Sequence, residues 1–307
     1  MKLVLGTRGS ALALWQARWV AGRLAQAAPG ADVEVRVIRT SGDRIGGPLL
    51  AAGGKGLFIK EIEEALAAGQ IDLAVHSMKD VPAALRPGLC IAAIPVREDA
   101  RDALVSRDRI RLMDLGPGAR LGTSSLRRAC QILARRPDLA VVPLRGNVDS
   151  RLRKMRAGDV DAVMLALAGL RRLGLEGEVA ETMECSECVP AVGQGALCIE
   201  TRSEDGGTRD AIAPLHDPAT ACCVAAERAF LAGLGGDCHV PIAGHARLAG
   251  RELEIEGLVG RPDGTRVLRD RCGGGADAPE QAGKSLADAL LSRGAAQILQ
   301  EIRAASA

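Results

Sequence analysis

The sequence predicts an α/β protein with mixed, largely parallel sheets and a smaller α+β part at its C-terminal end. Two patterns predict this class. Over the first two thirds of the 307 residues, short aliphatic runs alternate with amphipathic stretches, which is typical of strand–helix–strand units. In the last third, three apolar runs are separated by Ala-Gly and Pro-Asp-Gly turns, which is typical of an antiparallel meander.

The first set of elements covers residues 2–96. Ser10 is the expected N-cap of the first helix, because a serine side chain can accept a hydrogen bond from the first helical turn. The stretch 56–68 carries apolar residues at helical spacing. These patterns predict helices at 10–27 and 56–68 and strands at 2–5, 33–39, 71–75 and 90–96.

The same alternation returns after residue 100 and then changes style. It predicts strands at 103–105, 119–122, 140–144 and 162–165, with helices at 125–135 and 148–157. The last third predicts a helix at 219–234, strands at 243–248, 252–259 and 265–270, and a closing helix or helix pair at 278–302. Residues 95–99 and 190–195 are the candidate crossings between the first two domains.

The formal net charge of +2 conceals a strong asymmetry along the chain. Residues 101–172 hold 16 basic and 7 acidic side chains, whereas residues 173–237 hold 3 and 12. Arg outnumbers Lys by 34 to 6, and the Arg fork suits carboxylates and phosphates. The basic middle is either a set of solvated helix faces or a site for a multiply anionic ligand. We favour solvated faces for Arg135, Arg136, Arg153 and Arg156.

The composition excludes several classes of protein. Two Trp, two Phe and no Tyr cannot build a row of rings on which bases stack, so we expect no nucleic-acid partner. The absence of an apolar run of about 18 residues and of a secretory signal pattern predicts a cytoplasmic protein without membrane contact. Cys185-Ser-Glu-Cys188 has the spacing of half a zinc site, but no second pair completes it, so we expect no metal.

Four segments place hydroxyl or cationic groups where a strand leads into a helix. Backbone N–H groups and guanidinium groups at such junctions bind oxyanions. Each junction alone could be an ordinary helix cap, but four in one chain indicate a ligand with several carboxylates or phosphates. The segments are 7–10, 54–56, 122–128 and 144–148, the last followed by Arg151.

Two residues are candidates for the chemistry itself. Asp80 follows an apolar strand and lies beside Lys79, a setting that suits proton transfer or stabilisation of a developing cation, although a salt-bridged loop residue is the simpler alternative. Cys238 follows Gly235-Gly236-Asp237, and an accessible thiolate there could carry a covalent group.

Together these segments resemble the porphobilinogen deaminase family, whose members are also called hydroxymethylbilane synthases. The resemblance is collinear from residue 7 to the Cys238 loop and looser beyond it. It rests on the motifs TRGSALALWQA, GGKGLFIKEIE, HSMKDVP, GTSSLRR, LRGNVDSRL, LALAGLRRLG and PAVGQGA.

The resemblance implies a fold of three domains. Two of them resemble halves of type II periplasmic binding proteins, and the chain crosses between them twice. The third is a small α+β domain that carries the cofactor cysteine. The implied boundaries are residues 1–96 with 195–214, 101–190 and 218–307.

The resemblance also implies the reaction. Four porphobilinogen molecules are joined head to tail, each with loss of ammonia, on a covalent dipyrromethane primer, and hydrolysis releases hydroxymethylbilane. The implied attachment is a thioether to Cys238, and Asp80 is the implied catalytic carboxylate. The substrate is porphobilinogen, the product passes to uroporphyrinogen-III synthase, and the enzyme is a monomer.

The remaining implied site residues bind carboxylates of the cofactor and substrate. Lys79, Thr123 and Ser125 would serve chiefly the cofactor, Arg8 and Arg145 the incoming substrate and elongation, and Phe58 would cover the active-site mouth. The further matching positions are Ser10, Lys55, Ser77, Ser124, Arg127, Arg128, Gly146, Asn147, Arg151, Arg172 and Gln194.

Two departures from the family pattern affect expectations. Asp237 stands where a glycine is common, and an anion beside Cys238 should raise its thiol pKa and slow attachment. Ala51 replaces a lysine that some members carry. Two other functions stay open on the residues alone: a non-enzymatic solute- or effector-binding protein of the same fold, and nucleic-acid binding through the basic middle, which would be strongly salt-dependent.

Overall fold

A computed structural model describes residues 1–28, 30–41, 59–235 and 240–306. The chain divides into two compact units, one formed by residues 1–98 and 196–221 and the other by residues 99–195 and 222–307. None of the helices in these described ranges has the length and apolarity needed to cross a membrane. The three-domain division expected from the sequence stays a prediction.

Unit 1 is built around a five-stranded mixed sheet. Its strand order is β2-β1-β3-β10-β4, and only β10 runs antiparallel to its neighbours. Leu3, Leu5 and Leu73 lie on its strands and pack with Val20 and Leu24 of the first helix in a fully buried core. The strands are β1 (Lys2–Thr7), β2 (Asp32–Val37), β3 (Leu73–Ser77), β4 (Leu89–Ala93) and β10 (Leu197–Arg202), and the helices are α1 (Ala11–Ala27), α2 (Lys60–Ala67) and α6 (Gly206–Ile212).

Unit 2 contains a second five-stranded sheet with the same arrangement. Its order is β7-β6-β8-β5-β9, and β5 is the antiparallel strand. The strands are β5 (Asp102–Ser106), β6 (Arg120–Gly122), β7 (Ala140–Val142), β8 (Ala162–Ala166) and β9 (Glu181–Met183), and the helices are α3 (Leu126–Arg135), α4 (Val148–Arg156) and α5 (Leu167–Arg172).

The C-terminal part of unit 2 is an antiparallel meander covered by helices. Phe230 is fully buried against the meander, and a Cβ added at Gly257 would lie only 2.5 Å from its ring, so the close approach requires glycine. The elements are α7 (Pro218–Gly233), β11 (Ile242–Ala249), β12 (Glu252–Gly260), β13 (Val267–Gly275), α8 (Pro279–Leu290) and α9 (Ala296–Ser306), with a π-helical turn at residues 291–295.

These elements confirm the expected α/β class with mixed sheets and the smaller α+β part. The prediction missed β9, β10, α5 and α6, whose sequences are short or lack a clear period. It placed the end of β7 at residue 144, whereas the strand ends at Val142, because Pro143 has no N–H to continue the ladder. The closing segment is a helix pair.

The prediction of a solvated helix face was wrong for Arg136. Its guanidinium is largely buried and donates to the carbonyl oxygens of Leu112 (2.7 Å), Met113 (3.1 Å) and Leu115 (2.7 Å). An Arg at the end of a helix can satisfy several carbonyl groups of a neighbouring turn at once, so this residue fastens α3 to the segment 112–115. Arg153 and Arg156 are exposed.

Candidate active site

In unit 1, the candidate residues of the first junction lie at the carboxyl edge of the sheet. β1 and β3 are parallel neighbours, so Arg8, which follows β1, and Ser77, which ends β3, emerge at the same edge. Ser10 caps α1 and accepts a hydrogen bond from the Ala13 N–H at 3.3 Å. Gln16 of α1 donates to the Ser77 hydroxyl at 3.0 Å, which fixes the start of the helix against the end of β3.

Asp80 lies in the single helical turn that directly follows β3. Met78 anchors this turn, because its side chain is 1% exposed and its N–H donates to the Ala196 carbonyl at 3.0 Å. Lys79 is half-buried and Asp80 is exposed. The turn therefore presents a solvent-accessible carboxylate and an adjacent ammonium on a rigid support.

In unit 2, the hydroxyl-rich junction follows β6. Thr123 is buried, and its hydroxyl accepts a hydrogen bond from the Ser125 N–H at 3.1 Å. Ser125 is the N-cap of α3 and accepts from the Arg128 N–H at 3.4 Å, whereas Ser124 between them is exposed. The exposed hydroxyl thus stands beside the positive end of a ten-residue helix.

The neighbouring junction follows β7 and leads into α4. Gly146 has φ +117°, a conformation that a residue with a Cβ adopts only at a cost. Its carbonyl accepts from Arg151 Nε at 2.8 Å, and the Arg145 carbonyl accepts from Lys154 Nζ at 3.4 Å. Asn147 immediately precedes α4 and is exposed. β6 and β7 are parallel, so this basic loop and the Thr123–Ser125 junction share one sheet edge.

Arg127 and Arg128 occupy a different environment from the exposed groups. Both are buried, at 4% and 5% exposure, and both bond to the fully buried Asp102. Arg127 Nη1 lies 2.7 Å from Asp102 Oδ2, and Gln194 Nε2 lies 2.9 Å from Asp102 Oδ1. Burial would raise the pKa of Asp102, but the two guanidinium charges outweigh it and hold the pKa well below its usual range.

The last two described candidates, Arg172 and Gln194, donate hydrogen bonds to backbone carbonyl groups. Arg172 Nη2 donates to the Gly195 carbonyl at 2.7 Å, and Gln194 also donates to the Ala100 carbonyl at 2.7 Å. These bonds connect the end of α5 and the start of β5 to the segment 193–195. The candidates Lys55, Phe58 and Cys238 lie outside the described residues.

Asp102 is the residue that sequence reasoning missed. It opens β5 beside Ala166, the last residue of β8, and therefore lies at the same edge as the two basic junctions. The available signal was an acidic residue at the start of an apolar strand within a strongly basic stretch. A buried charge of that kind requires a partner of opposite charge, and the basic stretch contains the adjacent Arg127 and Arg128.

The chain matches two protein-family models and is similar to curated proteins over almost its whole length. The family model described as "Porphobilinogen deaminase, dipyromethane cofactor binding domain" matches residues 3–210, and "Porphobilinogen deaminase, C-terminal domain" matches residues 221–292. The porphobilinogen deaminase of Syntrophotalea carbinolica is 53% identical over 97% of this chain and 95% of its own length. That of Thiobacillus denitrificans is 50% identical over 98% and 99%.

A solved structure shows a much more distant likeness. A putative methionine-binding lipoprotein from Bacillus subtilis aligns with 70% of this chain and 89% of its own, with 13% sequence identity and a TM-score of 0.44. That likeness has no bearing on function. The two family models and the relatives that are about 50% identical over almost the whole chain show that the chain belongs to the porphobilinogen deaminase family.

Proposed function

We propose that this chain polymerises four porphobilinogen molecules head to tail, with loss of ammonia, into hydroxymethylbilane on a dipyrromethane primer. The observation that carries this function is the near full-length similarity to curated deaminases. The carboxyl edges of the two sheets support it, because they present the groups that the reaction requires. We assign to them the roles that follow.

The residues at the edge of unit 2 fit a dipyrromethane group. Its two pyrroles carry acetate and propionate side chains, so it needs several donors and cations. Ser124 offers an exposed hydroxyl beside the N-terminus of α3, and the half-buried Arg145 stands on the adjacent junction. Arg127 Nε is buried and donates to no partner among the described residues, so this guanidinium still has a donor to offer. When bound, the group supplies a covalently held, electron-rich pyrrole that the substrate can extend.

Asp80 is the group we assign to the reacting centre. Loss of ammonia turns porphobilinogen into an electron-poor azafulvene cation, and a carboxylate within hydrogen-bond reach of the pyrrole N–H stabilises that positive charge. The same oxygen can accept a proton as the new bond forms. Asp80 suits both tasks because its carboxylate is exposed while Met78 fixes the backbone of its turn.

The remaining candidates would hold the substrate and the growing polyanion. Arg8 and Ser10 stand at the carboxyl edge of unit 1 with Ser77 and Lys79, and we assign Arg8 to the incoming substrate. Arg145 and Arg151 flank the Gly146 carbonyl in unit 2. A guanidinium group binds a carboxylate through two parallel hydrogen bonds. Successive pyrroles can therefore be bound through their acetate and propionate groups, without aromatic stacking.

Intact-mass spectrometry tests the proposed function. Protein from cells that make porphobilinogen should carry a covalent adduct of two pyrrole units. The adduct should be absent from Cys238→Ser and present in Cys272→Ser, the matched control. An unmodified wild-type mass, together with reversible binding of a small anion, would instead favour the solute-binding alternative.

We also propose that the enzyme acts in the cytoplasm as a monomer and passes its product to uroporphyrinogen-III synthase. Size-exclusion chromatography with light scattering checks the oligomeric state: a mass near 31.9 kDa is expected, and twice that mass would contradict it.

A further inference from the structure

A cavity in unit 2 lies among residues that the proposed reaction does not use. Its volume is about 150 Å³, which is enough for a molecule about as large as an amino-acid side chain. Its lining residues include one cysteine, one histidine and two arginines. They are Glu184, Cys185, Ser186, His245, Arg247, Glu254, Glu256 and Arg271.

A buried carboxylate, that of Glu227, lies next to the histidine of this cavity. Glu227 is fully buried, and its Oε1 lies 3.5 Å from Nδ1 of His245. The same Oε1 accepts a hydrogen bond from the Ala246 N–H at 2.8 Å, and Oε2 accepts from the Gly193 N–H at 2.6 Å. The carboxylate is therefore fixed, and its negative charge lies within ion-pair distance of the His245 imidazole. A carboxylate beside an imidazole favours the imidazolium form, which in turn stabilises a neighbouring thiolate.

The electrostatics of the cavity favour the thiolate. Burial would raise the pKa of Cys185, but hydrogen bonds from His245 and Arg247 and their positive charges lower it below the usual value. Other thiols of this unit behave differently: burial raises the pKa of Cys130 and of Cys188 to about 12 and raises that of Cys222. Cys185 thus stands apart from its neighbour three residues away.

The loop that carries Cys185 is also held in place. Arg269 donates to the Cys185 carbonyl at 3.2 Å and to the Ser186 carbonyl at 2.6 Å, and the Cys188 N–H donates to the Glu184 carbonyl at 2.9 Å. Among the residues that the structure describes, no group of three or more metal-ligating side chains is found. The two thiols of this turn differ in their surroundings: that of Cys185 lines the cavity, and that of Cys188 donates a hydrogen bond to Asp102.

We propose that Cys185 is a nucleophilic site that forms a mixed disulfide with a low-molecular-weight disulfide admitted by the cavity. The Cys185 thiol transfers its proton to His245, and the thiolate attacks one sulfur of the reagent. The bond between the two reagent sulfurs breaks, a bond between Cys185 and one of them forms, and the other half leaves as a thiolate that takes up the proton. One disulfide and one thiol enter, and one disulfide and one thiol leave, so no further oxidant is needed.

The first experiment maps the reaction on the intact protein. The full-length protein is treated with 2-hydroxyethyl disulfide at pH 7, and modified cysteines are quantified by peptide mass spectrometry over time. We expect Cys185 to react faster than Cys222, because the lowered pKa of the Cys185 thiol and the raised pKa of the Cys222 thiol give Cys185 the larger thiolate fraction at this pH. Cys185→Ser should lose the fast phase, and Cys222→Ser should keep it. Equal or slower reaction at Cys185 in the wild type would overturn the proposal.

The second experiment separates activation by His245 from simple accessibility. In His245→Gln the rate at Cys185 should fall at pH 7, and the midpoint of its pH profile should move upward, since a charge that lowers the thiol pKa is removed. The rate should recover at high pH, which a collapsed cavity would prevent. An unchanged rate and midpoint would refute the role of His245. Cys185 is outside the proposed polymerisation machinery, so neither result bears on that function.

Discussion

The Asp102 carboxylate receives a two-point contact from the Arg128 guanidinium on a single oxygen. Its Oδ1 lies 3.0 Å from Nε and 2.7 Å from Nη2 of Arg128, and Asp102 is fully buried. Arg128 Nη1 also donates to the Met164 carbonyl at 2.9 Å. One ionic cluster therefore connects the start of β5, the first turn of α3 and the middle of β8, next to the junction that carries Ser124.

Removing the charge of Asp102 should destabilise the protein strongly. Asp102→Asn leaves the buried Arg127 and Arg128 without their counterion, and breaking a buried ion pair typically costs about 3–5 kcal/mol. Chemical denaturation measures the free energy of unfolding. Glu178→Gln is the matched control, because it breaks the exposed pair with Arg156 and should cost no more than about 1 kcal/mol. Equal costs for the two variants would contradict the ionic cluster.

The same carboxylate predicts how stability depends on pH. The folded-state pKa of Asp102 is depressed below its unfolded value of about 3.9, so its contribution is complete above about pH 5 and is lost as the pH falls from there toward the folded pKa. Glu256, whose pKa is lowered against burial by Arg269 and Arg271, acts in the same direction. Unfolding free energies measured between pH 7 and pH 3 should decline on the acid side. The decline should be shallower in Asp102→Asn, and parallel curves would argue against this assignment.

Loss of the Asp80 carboxylate should abolish turnover while the fold persists. Asp80 is exposed, so Asp80→Asn removes little packing, whereas loss of a group that moves protons or stabilises a cation typically lowers the rate by about 10²- to 10⁴-fold. Steady-state hydroxymethylbilane formation and circular dichroism provide the two readouts. Asp159→Asn, another exposed aspartate, should keep wild-type turnover. Full activity in Asp80→Asn would refute the catalytic assignment.

Arg145 should affect substrate binding far more than Arg153 does. Both belong to the basic stretch, but Arg145 stands on the junction between β7 and α4, and Arg153 is exposed within α4. Charge-assisted bonds to a carboxylate are worth about 1.5–3 kcal/mol, so Arg145→Gln should raise KM for porphobilinogen by about 10- to 100-fold. Arg153→Gln should leave KM unchanged. Similar KM values for the two variants would contradict the assignment of Arg145 to substrate binding.

Gly146 should resist substitution for a local steric reason. At φ +117° an added Cβ would clash with the Ser150 hydroxyl, so Gly146→Ala should destabilise the loop by about 1–3 kcal/mol and lower turnover. Gly158 is the control: at φ +85° an added Cβ would meet only the Arg107 guanidinium, at an ordinary contact distance of 3.9 Å, so Gly158→Ala carries only the backbone cost and should retain turnover. Adding Ser150→Gly to Gly146→Ala should recover part of the loss, and no recovery would place the defect elsewhere.

Local sequence was sufficient wherever the decisive interaction lies within a few residues. Ser10 and Ser125 cap their helices through bonds to groups three residues ahead, so the helix starts could be predicted from residue type and position. It was insufficient for Arg136, whose partners at 112–115 are more than twenty residues away. The solvated face expected for it was wrong because no periodicity reveals a carbonyl cluster on another segment.

By itself the sequence determined the class of fold, the order of most elements, the junction residues and, through its motifs, the family. These depend on short-range periodicity and on collinear residue identities. Only the tertiary structure decided that Asp102 is the counterion of Arg127 and Arg128, and that Cys185 shares a cavity with His245 and Arg247. Tertiary packing brings these residues together from 25 to 62 positions apart, and a charge or thiol changes its chemistry according to the groups that burial places against it.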